Sequence, residues 1–368
     1  MRGAFSSTII SIIQLTCTRQ CQSLTIRIGT RSSKLALIQA HQFQNALQKI
    51  GAKGSTIDTE IVEISASGDK KEQIGKSPTQ TLPLALTGAD FTGALDEAVL
   101  GGIIDVAVHS MKDIPPDGRW DDSLTIGACL GPREIPLDVL VTKDASIKSI
   151  QSLPPGSRVG SASIRRQAQL LAINSSLQVI NIRGNVDARL KALDNDEVDA
   201  LVLAMAGLNR LGVLDETTNT IHQPGNRDVK YHFRPLSIEE MLPGLCQGII
   251  GITCRSDNAD ILSLLKDIDN HDARIAATTE RAYLDVVQRV SPWEGRPPLA
   301  GYMRCHNSDW RFNALLATPE GSKVLRVEEF VKEIDCNVES AQRLGVNAGE
   351  KVLELAGGSF LDGFYSKS

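Results

Sequence analysis

From residue 26 onward, short apolar runs alternate with longer stretches whose apolar positions recur every three or four residues. The first pattern is that of a buried strand; the second is that of a helix with one apolar face. Residues 26–30 read as a strand. Residues 33–50 read as a helix, with Leu35, Ile38, Phe43, Leu47 and Ile50 along one stripe. Strands are expected over 59–66, 103–109 and 137–142, and a short helix over 91–100. The pattern repeats as strand 158–161, helix 164–174, strand 178–183, helix 186–194 and strand 198–204. A Gly-, Pro- and Thr-rich stretch over 68–88 reads as a mobile loop, and the paired prolines in 147–156 as a connector into a second domain.

Strand–helix alternation at this spacing predicts an α/β architecture with parallel sheets and right-handed crossovers. After Gly225 the chain is expected to return to its first domain through MLPGLCQGIIGITCR (241–255), leaving a smaller α+β unit at the end. The expected division is a leader at 1–24, a first domain from 25–135 with 236–255, a second from 136–235, and a C-terminal α+β domain from 256–368.

Sheets of this kind bind ligands at the carboxyl ends of their strands. Three segments put cations there: IRIGTRSSKLAL (26–37), DVAVHSMKDIPP (105–116), and VGSASIRRQAQL with VINIRGNVDARL (159–170 and 179–190). Ser163 is a good N-cap, which places Arg165 and Arg166 in the first helical turn, where the helix dipole disfavours cations. A local rule broken in this way often marks function. Arg183 leaves a strand, Gly184 permits close backbone approach, Asn185 can cap the next helix, and Arg189 lies one turn in. Four arginines around one mouth suit several carboxylates, because a guanidinium binds a carboxylate bidentately. Arg31 and Lys34 flank a helix start with Ser32 and Ser33 as caps. Lys112 and Asp113 follow a buried strand, with Asp113 a candidate acid/base or cation stabiliser. His109 reads as structural.

Composition narrows the picture. The chain is 42% apolar, 23% charged and 4% aromatic, with net charge −5. That leaves no global basic field and few stacking platforms for nucleic acid. The positive charge is local, which favours a small polyanionic ligand. The seven cysteines are scattered, without metal-ligand spacing, so no metal site is expected and a reducing compartment is. No P-loop, GxGxxG, HExxH or GxSxG pattern occurs. Residues 1–24 hold Arg2 and Arg19 but no acid, and the first acidic residue is Asp58. That bias reads as an organelle-targeting leader, plastid favoured over mitochondrion, with a cytoplasmic location if the leader does not act. The apolar stretch near residues 9–15 is too short to span a bilayer, so no membrane role is expected.

The cationic segments, with DALVLAMAGLNRLG (199–212), QGIIGITCR (247–255) and TTERAYL (278–284), resemble the hydroxymethylbilane synthase, or porphobilinogen deaminase, family. The resemblance runs from about residue 26 to about residue 357. It implies two domains like those of periplasmic binding proteins and a small C-terminal α+β domain. It implies condensation of four porphobilinogen molecules into linear hydroxymethylbilane, with release of ammonia, by a monomer. It also implies a dipyrromethane primer linked to a cysteine through a thioether. By resemblance Asp113 is the catalytic carboxylate. Arg31, Ser33, Lys112, Ser163, Arg165, Arg166, Arg183, Gly184, Arg189 and Arg210 line the site for substrate and cofactor carboxylates.

Three departures stand out. WEGRPPLAGY (293–302) aligns Gly295 with the family's cysteine, and glycine cannot form a thioether. TGADFTGAL (87–95) lacks the lysines usual in the mobile loop, and Ala162 replaces a usual serine. Cys246 and Cys305 are then the candidate thiols for an unusual primer linkage. Without one, the primer is held non-covalently, or the chain is an impaired paralogue that grips pyrrole carboxylates.

Overall fold

The computed structural model describes residues 25–51, 57–65, 74–75, 89–116, 120–223, 226–290 and 297–365. The leader 1–24 and position 295 therefore lie outside the described residues, as does nearly all of the stretch read as a mobile loop.

The first sheet joins β1 (Thr25–Thr30), β2 (Asp58–Glu63), β4 (Val106–Ser110), β5 (Leu124–Leu130) and β13 (Ile250–Arg255) in the order β2-β1-β4-β13-β5. Helix α1 (Lys34–Gly51) packs on it, with α2 (Ala89–Leu100) and α6 (Ala259–Lys266). The second sheet runs β10-β11-β12-β6-β9-β7-β8-β3. Its strands are β3 (Ile74–Gly75), β6 (Asp138–Thr142), β7 (Arg158–Gly160), β8 (Gln178–Ile182), β9 (Ala200–Ala204), β10 (Leu214–Asp215), β11 (Thr220–Gln223) and β12 (Asn226–Pro235). Three helices lie between its strands in sequence: α3 (Ile164–Ile173), α4 (Val186–Asp194) and α5 (Met205–Leu211). The C-terminal unit is an antiparallel meander of β14 (Leu299–His306), β15 (Asp309–Ala317) and β16 (Val324–Lys332), covered by α7 (His271–Val290) and α8 (Val338–Tyr365).

The α/β reading with a small terminal α+β unit is thus observed, but the sheets are mixed, not parallel. Strands β1, β2 and β4 run parallel, whereas β13 is antiparallel to both β4 and β5. In the second sheet β7 is parallel to β8 and β9, and β6 and β12 run against their neighbours. The reason is the connectivity. The chain visits the second sheet briefly at β3, crosses to it after β5 and returns after β12, so the first strand entered on each side arrives reversed. Strand β5 escaped the pattern reading because Gly127 interrupts it; a Cβ there would meet Leu265 Cδ1 at 2.3 Å.

Local corrections have similar causes. The buried face of α1 is Ala36, Gln39, Ala40, Phe43 and Leu47. Leu35 is only half-buried because it turns toward α5, where a Cβ on Gly207 would lie 3.6 Å from it. Strand β4 begins at Val106, and Ile103 is 60% exposed beyond the left-handed turn at Gly102. Residues 147–156 join β6 to β7 within one sheet; Ile150 and Leu153 pack with Leu140 and Val159 in its core. The return to the first sheet follows Pro235, since β11 and β12 extend the second sheet as a hairpin.

The units are packed together. The turn after β15 seats on α3, with Gln167 Nε2 donating to the Pro319 carbonyl at 3.1 Å. Ala168, Leu242, Ala300, Leu315 and Ala317 form one apolar cluster there. No helix among the described residues is long and apolar enough to cross a membrane.

Candidate functional site

The cationic segments lie at carboxyl ends of strands, as read. Arg31 follows β1, Lys112 and Asp113 form a short 3-10 turn after β4, Ser163 caps α3 after β7, and Arg183 follows β8. Ser163 Oγ accepts from the Arg166 amide at 3.4 Å, and Ser33 Oγ from Ala36 N at 3.3 Å, so both serines cap helices. Asn185 caps α4, accepting from Ala188 N at 2.8 Å.

The two arginines of α3 are buried, at 7% and 5% exposure. Their countercharge is Asp138, the first residue of β6, itself fully buried. Arg166 Nη2 donates to Asp138 Oδ1 at 2.7 Å. Arg165 Nη1 gives its hydrogen bond to the Leu242 carbonyl at 2.8 Å and approaches Asp138 Oδ2 at 2.8 Å as an ion pair. Arg166 Nη1 donates to the Val202 carbonyl at 2.8 Å. Burial opposes the Asp138 charge, but the two guanidiniums win and hold its carboxyl far below the usual range.

Lys112 faces this cluster from the other sheet. Its ammonium reaches Gln247 Oε1 at 3.4 Å. Burial pulls Lys112 down to about 8; Asp113 and Asp138 oppose the fall, while Arg166 and Arg165 add to it. Arg189 joins the same field. Burial, with Arg166 and Arg183 alongside, pulls it down to about 10, and Asp113 opposes. Its Nε donates to the Gly184 carbonyl at 3.0 Å, with Gly184 held at φ +104. The turn after β4 and the ends of β7 and β8 therefore share one electrostatic site.

Arg210 stands apart. Its Nη2 donates to the Gly248 carbonyl at 2.7 Å; burial lowers its pKa and Glu134 opposes. Arg31 neighbours His109, whose Nε2 meets Thr253 Oγ1 at 3.0 Å. Burial, helped by Arg31, pulls His109 down to about 4, so it is a neutral core histidine as expected.

Residues not singled out from the sequence complete the site. Asp138 is one and Gln247 another, with Nε2 on the Pro136 carbonyl at 2.6 Å and on Asp138 at 2.9 Å. Glu280 is a third: it takes Arg133 Nη1 at 2.6 Å, Met303 N at 2.9 Å and the Cys246 amide. Arg281 donates to the Pro115 carbonyl at 2.8 Å, two residues past Asp113. A charged residue opening an otherwise uncharged strand, Asp138 in DVLVT, was the signal available.

A shell of this kind fits a ligand with several carboxylates. The Arg166 Nε–H is buried and meets no hydrogen-bond acceptor among the described residues. A thioether fits less well. Cys246 is buried, its Sγ 4.0 Å from the Ala277 carbonyl of α7, and burial beside Glu280 pushes its thiol far up. Cys305 is exposed and paired with Trp310, four residues along β14 from Gly301, or roughly 13 Å. Partial burial and nearby acids raise it too. Neither is an activated thiol. No cluster of metal-ligating side chains occurs among the described residues.

Comparison with known proteins fits this arrangement. The family model described as "Porphobilinogen deaminase, dipyromethane cofactor binding domain" matches residues 26–263. The chain belongs to the porphobilinogen deaminase family. It is 38% identical to a chloroplastic porphobilinogen deaminase of Oryza sativa subsp. japonica, over 93% of this chain and 87% of the relative. It is 36% identical to a porphobilinogen deaminase of Pelotomaculum thermopropionicum, over 91% of this chain and 96% of the relative. Among solved structures, the VFT2 domain of Bordetella pertussis BvgS aligns with 67% of this chain and 85% of its own, at TM-score 0.39 and 16% identity.

Proposed function

We propose that this chain is a hydroxymethylbilane synthase, condensing four porphobilinogen molecules into linear hydroxymethylbilane with release of ammonia. The observation that carries the reading is the meeting of Lys112 and Asp113 with Arg165, Arg166 and Arg189 in one electrostatic site. Porphobilinogen is a pyrrole bearing two carboxylate arms and an aminomethyl group. Guanidiniums take the arms, and a carboxylate is left to meet the pyrrole N–H.

The chemistry then follows. The aminomethyl C–N bond breaks with its electron pair on nitrogen, which leaves as ammonia after gaining a proton. The cation left on the pyrrole is stabilised by the Asp113 carboxylate. The free α-carbon of the growing chain attacks the methylene carbon, forms the new C–C bond and loses its proton. After four additions the bond to the acceptor breaks as the acceptor carbon regains a proton, and water adds to the methylene cation left on the tetrapyrrole, giving its hydroxymethyl end. A dipyrromethane, when bound, would supply the first acceptor carbon. Arg31, Ser33, Lys112, Ser163, Arg165, Arg166, Arg183, Gly184, Arg189 and Arg210 are its proposed binding set. Since Gly295 offers no thiol, this shell retains the primer without a thioether at that position.

The names of the relatives from Oryza sativa and Pisum sativum both carry "chloroplastic". With the acid-free first 24 residues, that supports a plastid location. The proposed protein works as a monomer on porphobilinogen and polypyrrole intermediates, away from nucleic acid and membrane.

Mass spectrometry of protein expressed with porphobilinogen tests the reading. Pyrrole mass retained under native conditions and lost on denaturation is expected. A folded protein that carries no pyrrole after that exposure would overturn it.

A further inference from the structure

Gln247 lies where the chain crosses between the two sheets. Pro136 is in the segment that crosses after β5, and Gln247 is in the segment that returns before β13. The side chain is 2% exposed. Its amide has partners on both ends: Nε2 donates to the Pro136 carbonyl at 2.6 Å and to Asp138 Oδ1 at 2.9 Å, and Oε1 accepts from Lys112 Nζ at 3.4 Å. The orientation is dictated by chemistry. A carbonyl and a carboxylate can only accept, and an ammonium can only donate, so no flipped amide satisfies all three.

We propose that Gln247 is a positioning residue that holds Lys112 and Asp113, from the first sheet, in register with the Asp138–Arg165–Arg166 cluster of the second. This rests on the function proposed above. The two bonds at Nε2 are short and tie Gln247 to the second sheet's entry. The bond to Lys112, at 3.4 Å, is the longest of the three. Lys112 is faced by Asp113 from its own turn, Arg165 and Arg166 from α3, Asp138 from β6, and Gln247 from the crossing segment. Gln247 is neutral, so it sets distance without adding charge. A ligand carboxylate that spans Lys112 and an α3 arginine needs that distance constant, and misplacement by about 1 Å can cost about 100-fold in rate.

Two variants separate positioning from simple core packing. Gln247→Met keeps the volume and removes all three hydrogen bonds. Gln247→Glu keeps an acceptor for Lys112 but has no N–H for Pro136 or Asp138. Wild-type and both variants are assayed for porphobilinogen turnover across pH, with melting temperature measured on the same samples. The Met variant is expected to lose about 10- to 100-fold in kcat/KM, with its alkaline limb displaced to lower pH. The Glu variant is expected to lose kcat as well, with its alkaline limb displaced to higher pH, because a carboxylate holds Lys112 charged. A packing role would leave the limb of the volume-conserving Met variant in place. Limbs that stay in place, or move the same way in both variants, overturn the assignment. So does wild-type kcat/KM in the Met variant. A wild-type protein that is folded but does not turn over porphobilinogen counts against the function itself, and is told apart because it fails before any variant is compared.

Discussion

Arg166 and Asp138 lie 2.7 Å apart across the second sheet, with side chains 6% and 0% exposed. The arginine belongs to a helix N-terminus that disfavours cations, and the carboxylate to an otherwise uncharged strand. Each is costly alone; paired, they leave a guanidinium edge fixed beside the site. The arginines proposed to bind ligand are therefore also part of the core.

Asp138→Asn is expected to destabilise the protein by about 3–5 kcal/mol, because two buried guanidiniums lose their charge partner. A urea unfolding midpoint measures it. The pH dependence follows from the sign of the shift. The folded carboxyl is depressed, so its contribution is fully present above the unfolded value of about 4. It is lost as pH falls below that toward the folded value. Wild-type stability should thus fall more steeply than the variant's below about pH 4, and the two should run parallel above about pH 5.

Asp113→Asn should leave the fold intact, since Asp113 is only half-buried. Turnover should fall by at least about 100-fold, the usual range for a lost catalytic carboxylate. Near-normal turnover in a variant that melts with the wild type would remove Asp113 from the mechanism.

Arg189→Ala tests ligand binding more cleanly than a change at Arg165. Arg165 pairs with buried Asp138, so its loss also damages the core. Arg189 is half-buried, and its side-chain hydrogen bond among the described residues is the local one to Gly184. Its removal should raise KM by about 10-fold or more, the worth of one charged hydrogen bond, with melting temperature little changed. An unchanged KM would place Arg189 outside the site.

Gly321→Ala should unseat the C-terminal unit from α3. Gly321 sits at φ +67, and a Cβ there would lie 2.3 Å from the Ala168 carbonyl. Backbone cannot move aside cheaply, so a loss of about 2 kcal/mol or more is expected. Weaker hydrogen-exchange protection in α3 should accompany it. A variant as stable as wild type would show that the turn is not held against α3.

Much of this was legible in the sequence for identifiable reasons. Strands β1, β4, β7 and β8 are short apolar runs, and the cations that follow them break local rules visible in the chain itself. The caps Ser163 and Asn185 were equally plain. What was hidden is non-local. Whether β13 runs parallel or antiparallel to β4 depends on where the chain crosses between sheets, and no periodicity encodes that. Strand β5 was masked by Gly127, which is there because Leu265 leaves no room for a side chain. Asp138, Gln247 and Glu280 act on residues 28, 109 and 34 positions away, through Arg166, Asp138 and Cys246. Their roles exist only once the sheets meet. Arg210 was assigned by its motif, and its observed partner is a backbone carbonyl in the segment that returns to β13.

The most direct test is to incubate the purified full-length protein with porphobilinogen and follow substrate loss and ammonia release together. One ammonia per porphobilinogen consumed, with a linear tetrapyrrole formed, is the predicted result, lost in Asp113→Asn. A folded protein that neither consumes porphobilinogen nor releases ammonia would contradict the account.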